Sequence, residues 1–216
     1  MTRKLFILFA LLVIGAPKIL AQHKEQPAAP VMGSAYGQKL QIPGIKNAGK
    51  LNGVLYRGAQ PHEQSLAQLK TLGITTIVDL REEDPARRET EKKEAESLGL
   101  KFVSIPVGGW SAPTNEQVAQ FLSLFAGKPN EKVFVHCHLG EDRTGVFVAT
   151  YRMAIEKWRS EQALKEMYFF GFNGRWHPAM SAFVRDFPAR LTTAPALAGF
   201  KDPQAPGATV TATQPN

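Results

Sequence analysis

One stretch of this chain carries residue types at a spacing that can do chemistry: Val133-Phe134-Val135-His136-Cys137-His138-Leu139-Gly140-Glu141-Asp142-Arg143-Thr144-Gly145. An apolar, β-prone run ends at a cysteine, five residues follow, and an arginine opens a helix-patterned segment. A loop that enters a helix N-terminus aims several backbone N–H groups at one point and forms a cradle for an anion. Gly140 permits the tight turn that a side chain would obstruct. The field of those amides favours the thiolate of a cysteine held among them. Arg143 closes over the cradle with a planar fork that matches two phosphoryl oxygens. Thr144 can donate its hydroxyl to the sulfur. The implied reaction is in-line attack of Cys137 on phosphorus, followed by hydrolysis of a cysteinyl-phosphate. Thiolate, amides and arginine supply every group needed, so no metal or organic cofactor is expected.

Other readings explain less. Cys137 is the single cysteine, which rules out an intrachain disulfide. A buried structural cysteine leaves the coincidence of Gly140, Arg143 and the strand–loop–helix frame unexplained. His136-Cys137-His138 resembles a metal cluster, but neighbouring residues leaving a strand point in different directions and no second ligand cluster accompanies them. A rhodanese-type sulfur-transferase loop is shorter than five intervening residues. The residues expected to line a substrate are His138, Leu139, Gly140, Glu141, Asp142 and Arg143. Two acids and no lysine among the variable positions favour a monoester over a polyanionic ligand.

The elements that must position this loop alternate between strand and helix. Val54–Arg57, Ile74–Leu80, Lys101–Val107 and Lys132–His136 read as short strands, the second β-branched and apolar as a buried parallel strand should be. Helices are expected at His62–Leu72, Pro85–Leu98, Thr114–Ala126 with Thr114 as N-cap, Thr144–Lys157, Ser160–Phe170 and His177–Phe187. The alternation predicts an α/β fold, a central and mostly parallel sheet with helices on both faces. Ligands of such sheets sit beyond the carboxyl ends of the strands.

Composition bounds the rest. The 216 residues are 44% hydrophobic and 21% charged, with a formal net charge of +7, as in a folded globular chain. Arg3, Lys4 and Lys18 lie before Gln22; without them 23 basic and 19 acidic residues remain, a net of +4. That mild excess suits an anionic substrate and shows no nucleic-acid footprint. Residues 1–21 read as a secretory signal: a basic start, an apolar run from Leu5 to Gly15, and Ala21 before Gln22. The run is too short to span a bilayer comfortably, so cleavage, with no stable membrane insertion afterwards, and a periplasmic or secreted location are expected. Residues 22–49 read as a flexible leader, 50–190 as the catalytic domain, and 191–216 as a disordered tail.

His136-Cys137-x5-Arg143-Thr144 resembles the phosphate-binding loop of the protein tyrosine and dual-specificity phosphatase superfamily. Tyr56-Arg57-Gly58-Ala59-Gln60-Pro61, Gly73-Ile74 through Asp79-Leu80-Arg81, and Ser104-Ile105-Pro106 resemble further landmarks of its small members. The resemblance implies a phosphatase acting on a phosphorylated protein or small phosphomonoester, with His136 ordering the loop. Relatives place an acidic residue on the loop after the third strand, where this chain has Gly108-Gly109-Trp110-Ser111-Ala112-Pro113-Thr114. Asp142 is the substitute proton donor, as in relatives with an aspartate at that position; Glu116, Asp79 and Asp84 are the alternatives. Arg57 and Arg81 either widen the anionic pocket or stabilise the fold. Trp110 and Phe172 either line the pocket or pack in the core. Competing functions are a phosphoinositide or inositol-phosphate phosphatase on the same scaffold, and a catalytically weak phosphate-binding module.

Overall fold

The computed structural model describes residues 36–127 and 131–201. The expected signal at 1–21 and the outer parts of the leader and tail lie outside the described residues. Six strands form one sheet: β1 (Gln38–Lys39), β2 (Gly49–Lys50), β3 (Leu55–Ala59), β4 (Thr76–Arg81), β5 (Lys101–Val107) and β6 (Val133–Cys137). Their order is β1-β2-β3-β6-β4-β5. The last four positions in that order pair in parallel, while β1 and β2 pair antiparallel and extend one edge. β6 lies between β3 and β4, so Cys137 is carried by an interior strand with all five residues buried.

Side chains of successive strand residues enter two separate cores, as a period of two requires. Leu55, Val78, Val133 and Val135 face one core, which is completed by α3 (Asn115–Ser123), α4 (Asp142–Ala154), α5 (Ser160–Phe169) and α6 (Pro178–Thr193). Tyr56, Ile77 and Phe134 face the other, covered by α1 (Ser65–Thr71) and α2 (Pro85–Ser97). The expected α/β fold with helices on both faces is therefore present. α4 is buried from Arg143 through Ala154, the condition of a helix with neighbours on every side. That burial fixes the helix end that meets the Cys137 loop.

Two boundaries differ from the expectation. Residues 36–49, assigned to the flexible leader, supply β1, β2 and the buried side chains Ile45 and Ala48. Their strands are two residues long, too short to show a hydrophobic period. Residues 191–201, assigned to the tail, continue α6 to Thr193 and add a short 3-10 helix at Pro195–Phe200, with Leu197 fully buried. The helix runs through Pro188, whose missing N–H normally ends a helix; buried Phe187 and partly buried Leu191 hold its apolar side against the core.

Candidate active site

Cys137 ends β6 at the carboxyl edge of the sheet and is 2% exposed. Residues 138–141 then turn into α4. Gly140 adopts φ +71°, and a Cβ there would lie 2.3 Å from the carbonyl carbon of Gly58. Backbone hand and close approach both demand glycine. The Gly140 carbonyl accepts hydrogen bonds from Arg57 Nη2 and, at 3.0 Å, from Asn47 Nδ2. The His138 carbonyl accepts from the N–H of Gln60 at 3.2 Å. These donors pull the loop carbonyls outward. The N–H groups of Leu139, Gly140 and Glu141 have no backbone acceptor among the described residues. Unpaired donors at a helix N-terminus are what an anion would occupy.

Arg143, in the first turn of α4, is 7% exposed and its fork is already oriented. Nη1 and Nη2 each donate to a different oxygen of Glu83, both at 2.7 Å, and Nη1 also donates to the Val107 carbonyl at 3.1 Å. A guanidinium has five N–H groups. Glu83 takes the inner pair and Val107 the outer hydrogen of Nη1. The remaining Nε and Nη2 edge presents two parallel donors, the fork that fits a phosphoryl group. Arg143 holds the Glu83 carboxyl at about 2, far below its ordinary 4.5, so Glu83 is a carboxylate across the working pH range. Thr144 is fully buried and its Oγ1 has no hydrogen-bond partner among the described residues, leaving it free to serve the sulfur.

Below the loop lies a dense, buried charge network, in which His136 Nε2 and Glu91 Oε1 face each other at ion-pair distance without a well-formed hydrogen bond. His136 is fully buried, with Nε2 2.7 Å from Glu91 Oε1 at ion-pair distance and Nδ1 3.3 Å from the Cys137 carbonyl. Arg81 donates to both oxygens of Asp79 at 2.9 Å and to Glu91 at 2.8 Å. Burial alone would lower the His136 pKa, but the charges of Glu91 and Asp79 outweigh it and raise it above 6.5. Arg81 is thus a fold residue, not a wall of the pocket. Arg57 is equally buried and stacks on Phe170 at 4.2 Å from the ring centroid. Burial lowers its pKa to about 10, against the opposing charges of Glu166, Cys137 and Glu141. It remains a cation at neutral pH, supporting the loop from behind.

The acid candidates separate cleanly. Asp79 is fully buried in the network just described. Asp84 accepts the N–H of Arg87 and caps α2. Glu116 sits exposed in the first turn of α3. Asp142 is the first residue of α4, part-exposed, with Oδ2 3.3 Å from His177 Nε2 and Oδ1 3.4 Å from the Asn173 N–H. The ring of His177 stacks on Trp110 at 4.8 Å. Trp110 is 69% exposed, while Phe172 is buried in the core. A groove of about 790 Å³ runs beside the loop, lined among others by Lys39, Lys46, Arg87, His138, Leu139 and Glu141. Cys137 and Arg143 do not line it.

Four supporting residues escaped the sequence reading: Asn47, Glu83, Glu91 and His177. Glu83 had a signal, an acidic cluster just past the end of a strand. Glu91 stands in a uniformly charged helix, and its burial leaves no mark there. Asn47 and His177 have no local signature.

A cysteine at a strand end, free loop amides and a pre-aimed arginine define the cysteine-dependent tyrosine and dual-specificity phosphatase superfamily. Residues 44–185 match a family model described as a DSP-PTPase phosphatase fused to NAD+ kinase, and the chain belongs to that family. The dual specificity protein phosphatase TpbA of Pseudomonas aeruginosa strain UCBPP-PA14 is 31% identical over 150 residues, covering 69% of this chain and 65% of that protein. The chain therefore spans less than two thirds of that relative's length. The crystal structure of P. aeruginosa TpbA superposes with TM-score 0.61 and 29% identity, covering 75% of this chain and 98% of that one. A second TpbA structure, in complex with phosphotyrosine, gives TM-score 0.61 and 27% identity over 76% of this chain and 98% of the other.

Proposed function

We propose that this chain is a phosphomonoester hydrolase of the tyrosine or dual-specificity type, with phosphotyrosine in proteins as its leading substrate. Cys137 attacks phosphorus, Arg143 and the loop amides hold the phosphoryl oxygens, and Asp142 protonates the departing oxygen. The observation that carries the reading is the unused Nε–Nη2 edge of Arg143, held by Glu83 above a loop with unpaired N–H groups. The phosphotyrosine complex of TpbA supports the choice of substrate. The test is hydrolysis of p-nitrophenyl phosphate and of a phosphotyrosine peptide without added metal. Vanadate-sensitive activity that vanishes in Cys137→Ser is expected; activity surviving that substitution refutes the reading.

The groove beside the loop, with Lys39, Lys46 and Arg87 on its walls, favours one second reading, a more highly charged phosphoinositide or inositol phosphate. A panel of these substrates beside phosphotyrosine peptide separates the two by kcat/KM. We also propose that residues 1–21 direct export to the periplasm or beyond. Fractionation and the mass of the mature N-terminus check this; full-length chain in the cytosol contradicts it.

A further inference from the structure

We infer that His177 is the positioning residue of the proton-donating step, forming with Asp142 a pair that holds one transferable proton under the stacked ring of Trp110. This deepens the phosphatase reading above and rests on it. Three segments distant in sequence meet here: the loop after β5 through Trp110, the start of α4 through Asp142, and the residue preceding α6 through His177. The loop after β5 has no carboxylate. It brings an indole instead, laid on the imidazole at 4.8 Å with 25° between the planes. Phe172 lies 6.4 Å from the same ring. The indole face thus fixes the plane of the imidazole.

The ring's two nitrogens differ. Nε2 meets Asp142 Oδ2 at 3.3 Å, whereas Nδ1 is buried without a partner among the described residues. A proton on this ring therefore has one polar outlet, the Asp142 carboxyl. Asp142 in turn is oriented by the Asn173 N–H on its other oxygen. The charged groups on the surrounding elements are Glu141 and Arg143 beside Asp142 and exposed Arg175 beside His177; residues 108–114 add none. Burial and the neighbouring Asp142 charge raise the Glu141 carboxyl above its ordinary value.

The proton balance is closed. As the Cys137 sulfur–phosphorus bond forms and the ester P–O bond breaks, the pair gives its proton to the leaving oxygen. Water then attacks the cysteinyl-phosphate, the S–P bond breaks, thiolate leaves, and the pair recovers a proton from that water.

The test compares p-nitrophenyl phosphate, whose leaving group needs no acid, with an alkyl phosphate, whose leaving group does. His177→Gln keeps a hydrogen-bond donor but cannot carry a proton. It should lower alkyl-phosphate kcat by about 10- to 100-fold and aryl-phosphate kcat by far less. The high-pH limb of the alkyl profile should also move toward acid. Asp142→Asn should give the same signature, and the double variant little further loss. Equal losses on both substrates with an unmoved limb, or additive losses in the double variant, overturn the inference. Trp110→Ala alters a mostly exposed side chain and should shift the alkyl-to-aryl ratio in the same direction. An unchanged ratio there removes the stacked unit however His177→Gln folds. Wild type without p-nitrophenyl phosphatase activity would instead refute the parent reading.

Discussion

Two charged regions flank the Cys137 loop, one beneath it and one at its mouth, and they are built to opposite rules. Beneath it, Asp79, Arg81, Glu91 and His136 are all buried to within 3% exposure and spend their charges on one another. At the mouth, and among the described residues, Arg143 keeps an open donor edge, Thr144 a free hydroxyl, His177 an unpartnered nitrogen, and three loop amides lack acceptors. Burying polar groups without partners costs about 1–3 kcal/mol each. Donors left open around the cysteine are therefore a better guide to chemistry than charge density. Charges that oppose one another hold the shape; donors without acceptors beside the nucleophile await a ligand.

That contrast can be broken from either side. The largest expected effect on activity, after loss of the nucleophile, is Arg143→Lys. An ammonium cannot keep Glu83, Val107 and two phosphoryl oxygens together, so kcat/KM for p-nitrophenyl phosphate should fall by at least about 100- to 1,000-fold. A loss under tenfold would show that the fork is not used. Gly140→Ala comes next. Its φ of +71° costs a non-glycine residue about 1–2 kcal/mol, and the new methyl meets Gly58 backbone at 2.3 Å. Activity should drop sharply and the melting temperature by several degrees; full activity would mean the loop is not fixed by this contact.

Glu83→Gln should be milder, about 10- to 100-fold, because the arginine stays but its aim loosens. The wild-type clamp contributes stability above pH 4.5 and loses it only as pH falls toward about 2. It should therefore add no limb to an activity profile measured from pH 5 to 8, and a limb absent from Glu83→Gln but present in wild type would contradict this.

The smallest effect on chemistry and a large one on stability are expected of Glu91→Gln. It leaves the His136 imidazolium short of a buried partner, at about 1–3 kcal/mol. The His136 pKa is raised by folding, so its contribution is full below 6.5 and fades as pH climbs through the higher folded value. The difference in melting temperature between wild type and Glu91→Gln should shrink from pH 6 toward alkaline pH. A gap that widens would reverse the sign assigned to His136.

Legibility in the sequence followed the same divide. The strand ending at Cys137, the glycine, the arginine and the βα alternation are local patterns, and each lies where its period or spacing puts it. β5 at Lys101–Val107 and the Thr114 cap, which closes a capping box with Gln117, match residue for residue. What escaped is set by distance in the chain. Asn47 reaches Gly140 across 93 residues and Glu83 reaches Arg143 across 60, contacts that no window of local sequence contains. The ordered residues 36–49 escaped because strands of two residues carry no period. Arg57 and Arg81 were open between pocket and fold; its ion pairs place Arg81 in the fold, while Arg57 is fully buried against the Gly140 carbonyl and Phe170 with Nε and Nη1 unpartnered among the described residues.

The proposed mechanism requires a covalent bond between phosphorus and the sulfur of Cys137. Rapid quenching of a reaction with a phosphotyrosine peptide, followed by mass analysis of the fragment containing residue 137, reads that bond. One phosphoryl group should appear transiently on that fragment in the wild type and never in Cys137→Ser. Steady turnover with the fragment unmodified at every time point would contradict the nucleophile, and with it the mechanism built around Arg143 and Asp142.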